Sequence, residues 1–422
     1  MKPYCDIIWD QLLNDTPFQW YLRNQAAGHS TYTLDELFEE DDKLESHLDA
    51  LFIGLKSGGQ ADDQYNLDDT GMVFVLAVLA LRLDSNALLQ QCVDNVTSSE
   101  GEEQVEKAEE LFLALQWQSP SDSQIRFLLT QKHPYISQAA IAAFPVAIEA
   151  SVLEQWLTYQ DKPIVLRLLE FIGCQTLKQY RDYVSHFFNA EDDDIRFKAA
   201  CTALLLGDKT ALDVIKPFAQ SNNAKLRDAL LWLFCFSEKQ HIPIFVENVL
   251  AMDWSPRVQA LCIAYSGLTD YIPRLFPLLN QVDVAQVAGE AFSLITGINL
   301  VDDDFDDIEP DGDEPSAAQK QQMDDQYCDY EEDLPWPHAE KIEQWWQLNN
   351  HKFDSSHQYF SGQTIKQDNL HCILKNGYQI ERRIAALHLV ALGQPYFLTH
   401  SKVSLQQTQL LAMVNMTKEA MT

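Results

Sequence analysis

Four arginines recur along the middle of the chain at nearly constant spacing. They are Arg167, Arg196, Arg227 and Arg257, separated by 29, 31 and 30 residues. A guanidinium stays charged and presents a planar fork of donors, so such a row has two uses. Each arginine can bond a carboxylate of a neighbouring unit and form a structural ladder, with Asp194, Asp228 and Asp253 at hand. Alternatively, the row lines one surface and grips an anionic partner. A second concentration of charge is Asp302, Asp303, Asp304, Asp306 and Asp307, which opens a stretch, 302–333, holding 15 acidic residues and one lysine, Lys320. Hard carboxylate oxygens suit calcium, but an EF-hand loop needs Gly at its sixth position and Glu at its twelfth. Counting from Asp302, those positions hold Asp307 and Asp313. A solvated loop, or a docking strip for a basic partner, fits the run better. Trp336, Trp345 and Trp346 follow it. Tryptophan is enriched at interface hot spots, yet three near one helix also suit the capping of a core. His351, Asp354 and His357 are possible zinc ligands, but their spacing fits no single helix face.

No Gly-rich phosphate loop, nucleophile elbow or His-Glu-x-x-His motif occurs. The expectation is a non-enzyme with no cofactor, no metal and no catalytic residues. The eight cysteines form no Cys-x-x-Cys pair, and Cys201, Cys235 and Cys262 lie in apolar stretches. They read as small buried hydrophobes in a reducing cytoplasm.

The arginines sit at the start of a repeated helical pattern. Positions three, four and seven after Arg196, Arg227 and Arg257 are apolar in every case: Ala199, Ala200, Ala203; Leu230, Leu231, Phe234; Ala260, Leu261, Ala264. That is one face of a helix. Gln138 and Gln286 extend the register outward, while Glu170 and Glu290 break its apolar face. A second helix carrying Pro217, Pro243 or Pro273 is expected after each good copy. One helix pair cannot bury its own apolar face, so neighbours must stack. The pattern predicts an all-α fold, a short HEAT-like helical-repeat solenoid. Helical caps flank it over 1–118 and 334–422, the array spans 119–300, and an acidic disordered insertion covers 301–333. Within the first cap, Thr33 and Glu36 have capping-box spacing, and the apolar run Met72–Leu81 is too short to span a bilayer. The Gln379–Leu392 helix, with Arg382 and Arg383, resembles one more repeat, and the polar tail after Ser401 is expected to fray.

The net charge of −33 repels phosphate backbones and anionic lipid. Nucleic acid and membrane are therefore not expected partners, whereas a basic protein is. The N-terminal sequence lacks the charged and apolar regions of a secretory leader, so a cytoplasmic location is expected.

Several blocks in order carry a resemblance. They are Phe18-Gln-Trp-Tyr-Leu-Arg23, Leu34 through Asp41 to Leu51, Gly289-Glu-Ala-Phe-Ser-Leu-Ile-Thr-Gly297, Asp333-Leu-Pro-Trp-Pro337, Trp345-Trp346 and Gly377-Tyr378. The chain resembles an uncharacterised bacterial HEAT-repeat family often encoded in type VI secretion loci, with Gln19 and Asn24 replacing charged residues. The resemblance implies a cytoplasmic adaptor or chaperone-like role, loading a secretion spike or effector, and supplies no catalytic residues. The partner-binding residues expected on this reading are Arg167, Arg196, Arg227, Arg257, Asp302, Asp303, Asp304, Asp306, Asp307 and Trp336. The rival readings are an immunity protein covering a toxin, and a glycosylase-like or lyase-like enzyme on a HEAT scaffold. A glycosylase needs a basic groove, which −33 disfavours.

Overall fold

A computed structural model describes residues 2–29, 31–57, 65–141, 156–220, 224–251, 254–308 and 334–420. The fold is all-α, with only two-residue strands among the described residues. The chain packs as two compact units, Met1–Thr202 with Phe397–Thr422, and Ala203–Tyr396. These bounds cut across the segments expected from sequence. The array 119–300 contributes to both units, and 334–422 is divided between them.

Unit 1 begins with α1 (Lys2–Gly28), α2 (Leu34–Lys56), α3 (Thr70–Arg82), α4 (Asn86–Ser98) and α5 (Gly101–Trp117). It continues with α6 (Asp122–Thr130), α7 (Pro134–Ile141), α8 (Lys162–Cys174), α9 (Arg181–His186) and most of α10 (Asp193–Leu205), whose last three residues belong to unit 2. The Thr33 capping box forms: Glu36 N–H donates to Thr33 Oγ1, and Glu36 accepts from Thr33 N–H. Helix α3 is buried at every residue from Met72 to Leu81. A helix apolar on all sides must be covered on all sides, and α1, α2, α4 and α5 all pack against it. Trp20 of α1 stacks on Phe74, with ring centroids 3.5 Å apart.

Unit 2 repeats the plan. It holds α11 (Leu212–Ile215), α12 (Leu226–Phe236), α13 (Ile242–Ala251), α14 (Pro256–Ser266), α15 (Phe276–Leu279) and α16 (Ala285–Thr296). Then come β1 (Asp306–Asp307), β2 (Trp336–Pro337), α17 (Ala339–Asn349), β3 (Tyr359–Phe360), β4 (Gln363–Thr364), α18 (Gln367–Asn376) and α19 (Gln379–Ala391). Helix α12 is buried at Leu226, Arg227 and every residue from Ala229 to Phe236. It packs against α11, α14, α19 and the 3₁₀ turn Phe218–Gln220.

The register residues Arg167, Arg196, Arg227, Arg257 and Gln286 fall in the first halves of α8, α10, α12, α14 and α16, and Gln138 lies in the middle of α7. The second helices depart from expectation. Of the three expected after Arg196, Arg227 and Arg257, α13 is a full helix; the other two are one-turn helices and 3₁₀ turns such as Thr269–Arg274. Pro273, inside that turn, has no N–H to donate to an α-helical ladder. The β3–β4 hairpin closes the exposed ends of α14 and α16. Tyr359 N–H donates to Gly267 C=O and Ser361 N–H to Leu294 C=O, satisfying carbonyls that a helix end leaves open. Gly297, at φ 74, lies so close that a Cβ would sit 2.7 Å from the Ser361 carbonyl carbon.

The tail after Ser401 does not fray as expected. Helix α20 (Val403–Ala420) belongs to unit 1. Arg23 donates to Asp41 and to the carbonyls of His400 and Ser401, at 2.8, 2.7 and 2.8 Å. The other Asp41 oxygen accepts the Val403 N–H at 2.6 Å, at the start of α20. Lys402 reaches Glu45 at 2.5 Å, and Arg82 reaches the same carboxylate at 2.5 Å. Burial would raise the Glu45 carboxyl, but Lys402 and Arg82 hold it below the ordinary range.

Among the described residues, no helix is long and apolar enough to cross a membrane. Cys92, Cys201, Cys235 and Cys262 are buried thiols that form no disulfide. Burial pushes Cys92, Cys235 and Cys262 well up, which suppresses the reactive thiolate.

Two groups, buried His388 and half-buried Glu110, titrate in opposite senses. His388 sits with Nε2 3.7 Å from the Cys235 sulfur, and burial with a lesser effect of Lys239 depresses it to about 4. The unfolded chain therefore takes up this proton first. The contribution of neutral His388 is complete above about pH 6.5 and declines as pH falls toward 4, by up to about 1.4 kcal/mol per pH unit. Urea unfolding between pH 7.5 and 5.5 should show that decline, and His388→Gln should flatten it. Glu110 behaves inversely. Burial raises it to about 7, against the hydrogen bond from Trp20 Nε1, so its charged form costs stability as pH rises from about 4.5 through 7. Glu110→Gln should raise stability by about 1–2 kcal/mol at pH 7.5 and leave it unchanged near pH 4.

Candidate functional site

The acidic run is more ordered at its start than the expected flexible insertion. Asn299 anchors it: its Nδ2 donates to Asp302 at 2.7 Å, and its backbone N–H donates to Asp303 at 3.0 Å. Tyr378 O–H also donates to Asp302 at 3.0 Å, and burial, reinforced by that bond, pushes the phenol to about 12. Asp304 takes φ 68, a left-handed conformation that aspartate tolerates, and its carbonyl accepts from Lys341 Nζ at 2.7 Å. The chain then extends as β1, which pairs antiparallel with β2: Asp306 faces Pro337 and Asp307 faces Trp336. This turn and ribbon correct the expected insertion over 301–308; residues 309–333 lie outside the described residues.

Helix α16 seats the ribbon. Gln286, which occupies the arginine position of the register, donates to Leu334 C=O at 2.5 Å. Gly289 lets Pro337 approach so closely that a Cβ there would lie 3.0 Å from the Pro337 Cβ. His338 N–H donates to Phe305 C=O at 2.7 Å and starts α17.

Between the ribbon, the α15–α16 turn and the start of α17 lies a groove of about 330 Å³. Its lining includes Leu279, Val282, Asp307, Ile308, Trp336, Pro337, His338 and Glu340. Ile308 is 86% exposed and Val282 60%, while Trp336 is half-buried and Asp307 and Glu340 are exposed. Two carboxylates thus border exposed aliphatic surface and an indole. Asp307 and Trp336 were readable as candidates from composition. Val282, Ile308, Pro337 and Glu340 were not, since only the ribbon register brings them together. The Leu334-Pro-Trp-Pro337 block was the signal, as it marks a rigid return of the chain.

The four arginines do not share one surface role. Arg227 is buried and donates to both oxygens of Glu290 at 2.7 Å; it faces inward and presents nothing to a partner. Arg167 pairs with Glu109 of α5 and with Glu170 at 3.1 Å, and its guanidinium lies 3.7 Å from the Phe112 ring centroid. Arg196 bonds Asp193 and, at 2.5 Å, Ala190 C=O, which braces the start of its own helix. Arg257 is half-buried near the start of α14. The carboxylates expected to serve the series are used differently. Asp194 pairs with Lys162 at 2.5 Å and Asp228 with Arg383 at 2.7 Å; Asp253 lies outside the described residues. Glu170 and Glu290, which interrupt the apolar pattern, are the counter-ions of Arg167 and Arg227. Arg382 is fully buried and donates to Leu374 C=O at 2.7 Å and to Gln379.

Trp345 meets Phe292 of α16 edge-on at 5.7 Å, and Trp346 is buried and packs against Phe353, with ring centroids 5.4 Å apart. His357 lies 3.3 Å from Asp354, which accepts the Ser356 N–H. Among the described residues, no group of three His, Cys, Asp or Glu side chains is placed to hold a metal ion.

Removing one member of a buried ion pair strands the other. Arg227→Met should cost about 3–5 kcal/mol in chemical denaturation, and adding Glu290→Leu should recover most of that loss. A loss of partner binding with unchanged stability would contradict the inward role.

Compared with known proteins, the chain matches no protein-family model, and no curated protein is significantly similar to it.

Proposed function

We propose that the chain is a non-catalytic protein-binding scaffold that captures a basic, partly apolar segment of another protein in the ribbon groove. The observation that carries this reading is the meeting of exposed Ile308 and Val282 with Trp336, Asp307 and Glu340 in one concavity. An exposed apolar patch rimmed by polar groups is the usual form of a binding surface. The indole supplies a large rigid contact of the kind that dominates interface energetics, and the carboxylates select positive charge. The sequence joining the two strands, 309–333, adds ten carboxylates and one lysine, which would steer a cationic partner and make association salt-sensitive. The same field opposes nucleic acid and anionic membrane.

Resemblance to the type VI-associated family favours a cytoplasmic adaptor that presents a secretion spike or effector. A chaperone-like accessory needs no catalytic group, which agrees with the absence of catalytic motifs in the sequence.

The reading predicts that tagged chain recovers a partner from its native cells, that raised salt lowers the recovery, and that Asp307→Lys with Glu340→Lys lowers it about tenfold. Trp336→Ala should weaken capture to a similar degree with little change in melting temperature. Gene deletion should then abolish effector secretion. Intact secretion, together with sensitivity to a toxin encoded beside the gene, would replace the adaptor reading with the immunity one.

A further inference from the structure

A second concavity in unit 2 has the opposite character. It encloses about 380 Å³ against the C-terminal half of α12 and shares no lining residue with the ribbon groove. Its floor is Leu233, Phe234 and Phe236 of α12, all buried. Phe245 and Ile244 of α13 form one wall; Phe245 meets Phe234 edge-on at 5.4 Å, and Ile244 is 60% exposed. The opposite wall is the segment carrying Lys209, Leu212 and Lys216. Lys209, Lys216 and His241 stand exposed on the rim, with Glu238 the one carboxylate in the lining. Lys216 is joined to Asp213 by an exposed i,i+3 pair at 2.7 Å. Such a pair contributes little, so the ammonium is readily redirected to a better-placed anion.

The chain has 30 lysines and arginines against 63 acidic residues. Cations gathered around an apolar floor therefore run against the composition. A patch whose only task was solubility would follow it.

We propose that this groove is a second docking site, which takes an acidic–apolar segment of a partner protein. A bulky apolar side chain would seat between Phe234, Phe245 and Ile244, and flanking carboxylates would meet Lys209 and Lys216. A peptide fits better than a nucleic acid. The floor offers aliphatic and aromatic surface but no donors to read base edges, and the −33 field opposes a long polyanion. A short segment with two or three carboxylates meets mainly the local rim, since charges beyond about 10 Å are screened. The inference rests on different residues from the ribbon groove, so either can fail alone.

The test is selection from a displayed random peptide library on the full chain, counter-selected against Lys209→Glu/Lys216→Glu. The recovered consensus peptide is then synthesised, and its binding is followed by fluorescence anisotropy. The expected consensus has a large apolar residue flanked by Asp or Glu. Its affinity should fall about tenfold in the double-Glu variant and in Ile244→Asp, and stay unchanged in Asp307→Lys/Glu340→Lys. Melting curves of the surface variants should overlay the parent, so loss of binding reports the groove. The proposal is overturned by a consensus lacking acids, or by a selection that enriches nothing over the variant. It is equally overturned if a single-stranded oligonucleotide displaces the peptide, which makes the rim a general anion surface. Self-association of the chain that disappears in the double-Glu variant would assign the groove to a second copy instead.

Discussion

A helix that is apolar on every face has no stable place except inside a ring of other elements, and each unit is organised around one. From Met72 to Leu81, every residue of α3 is buried; from Ala229 to Phe236, so is every residue of α12. Each fully buried large aliphatic side chain contributes about 1.5–3 kcal/mol, so leaving one flank of such a helix bare is expensive. Around α3 the ring is made by α1, α2, α4 and α5. Around α12 the neighbours include one-turn helices and 3₁₀ turns, which are narrower covers than a full helix. The second groove lies where Leu233, Phe234 and Phe236 form the floor. It is a consequence of thin cover over an all-apolar helix.

Buried charge fixes which elements complete the rings. Arg23 and Asp41 are 2% and 4% exposed, and between them they hold two carbonyls and the first N–H of α20. Such pairs add little net stability over a hydrophobic substitute, because desolvation offsets attraction. Their effect is geometric: a carbonyl or N–H brought in at the wrong register would leave a charge unsatisfied. Arg227 with Glu290 does the same for α12 and α16, and Arg382 for α18 and α19. Arg167, Arg196 and Arg227 thus work through contacts inside their own units.

Periodicity made much of this legible. The Thr33–Glu36 box, the buried run in α3 and the helical register from Gln138 to Gln286 all depend on residues within a few turns of one another. Two of the differences share a cause. Glu290 looked like a defect in an apolar face because its partner lies 63 residues away. The polar tail looked frayed because Arg23 and Asp41, which hold its first turn, lie more than 350 residues earlier. The second helices differ from expectation for a local reason: Pro217 and Pro273 lie where a helix is expected, and a proline past the first turn breaks the ladder. At the ribbon, Asp307 and Trp336 were visible as types. Their neighbours Val282 and Glu340 were not, since antiparallel pairing of two-residue strands leaves no periodic trace.

The distribution of charge bears on how a scaffold of this composition can be selective. A uniformly acidic surface attracts any cation and discriminates by net charge alone. Here the carboxylates of the ribbon groove sit beside an indole and two exposed aliphatic residues, so a basic ligand without a matching apolar side chain gains only screened, salt-sensitive attraction. The Lys209–Lys216 groove inverts the sign and keeps the principle: its aromatic floor gives nothing to a bare polyanion. On the proposed reading, apolar contact would supply most of the affinity, and charge would decide which of two otherwise similar apolar segments enters which groove. Two grooves of opposite sign in one compact unit would let a single scaffold hold two unlike segments without either competing for the other's place, which is the property an adaptor requires.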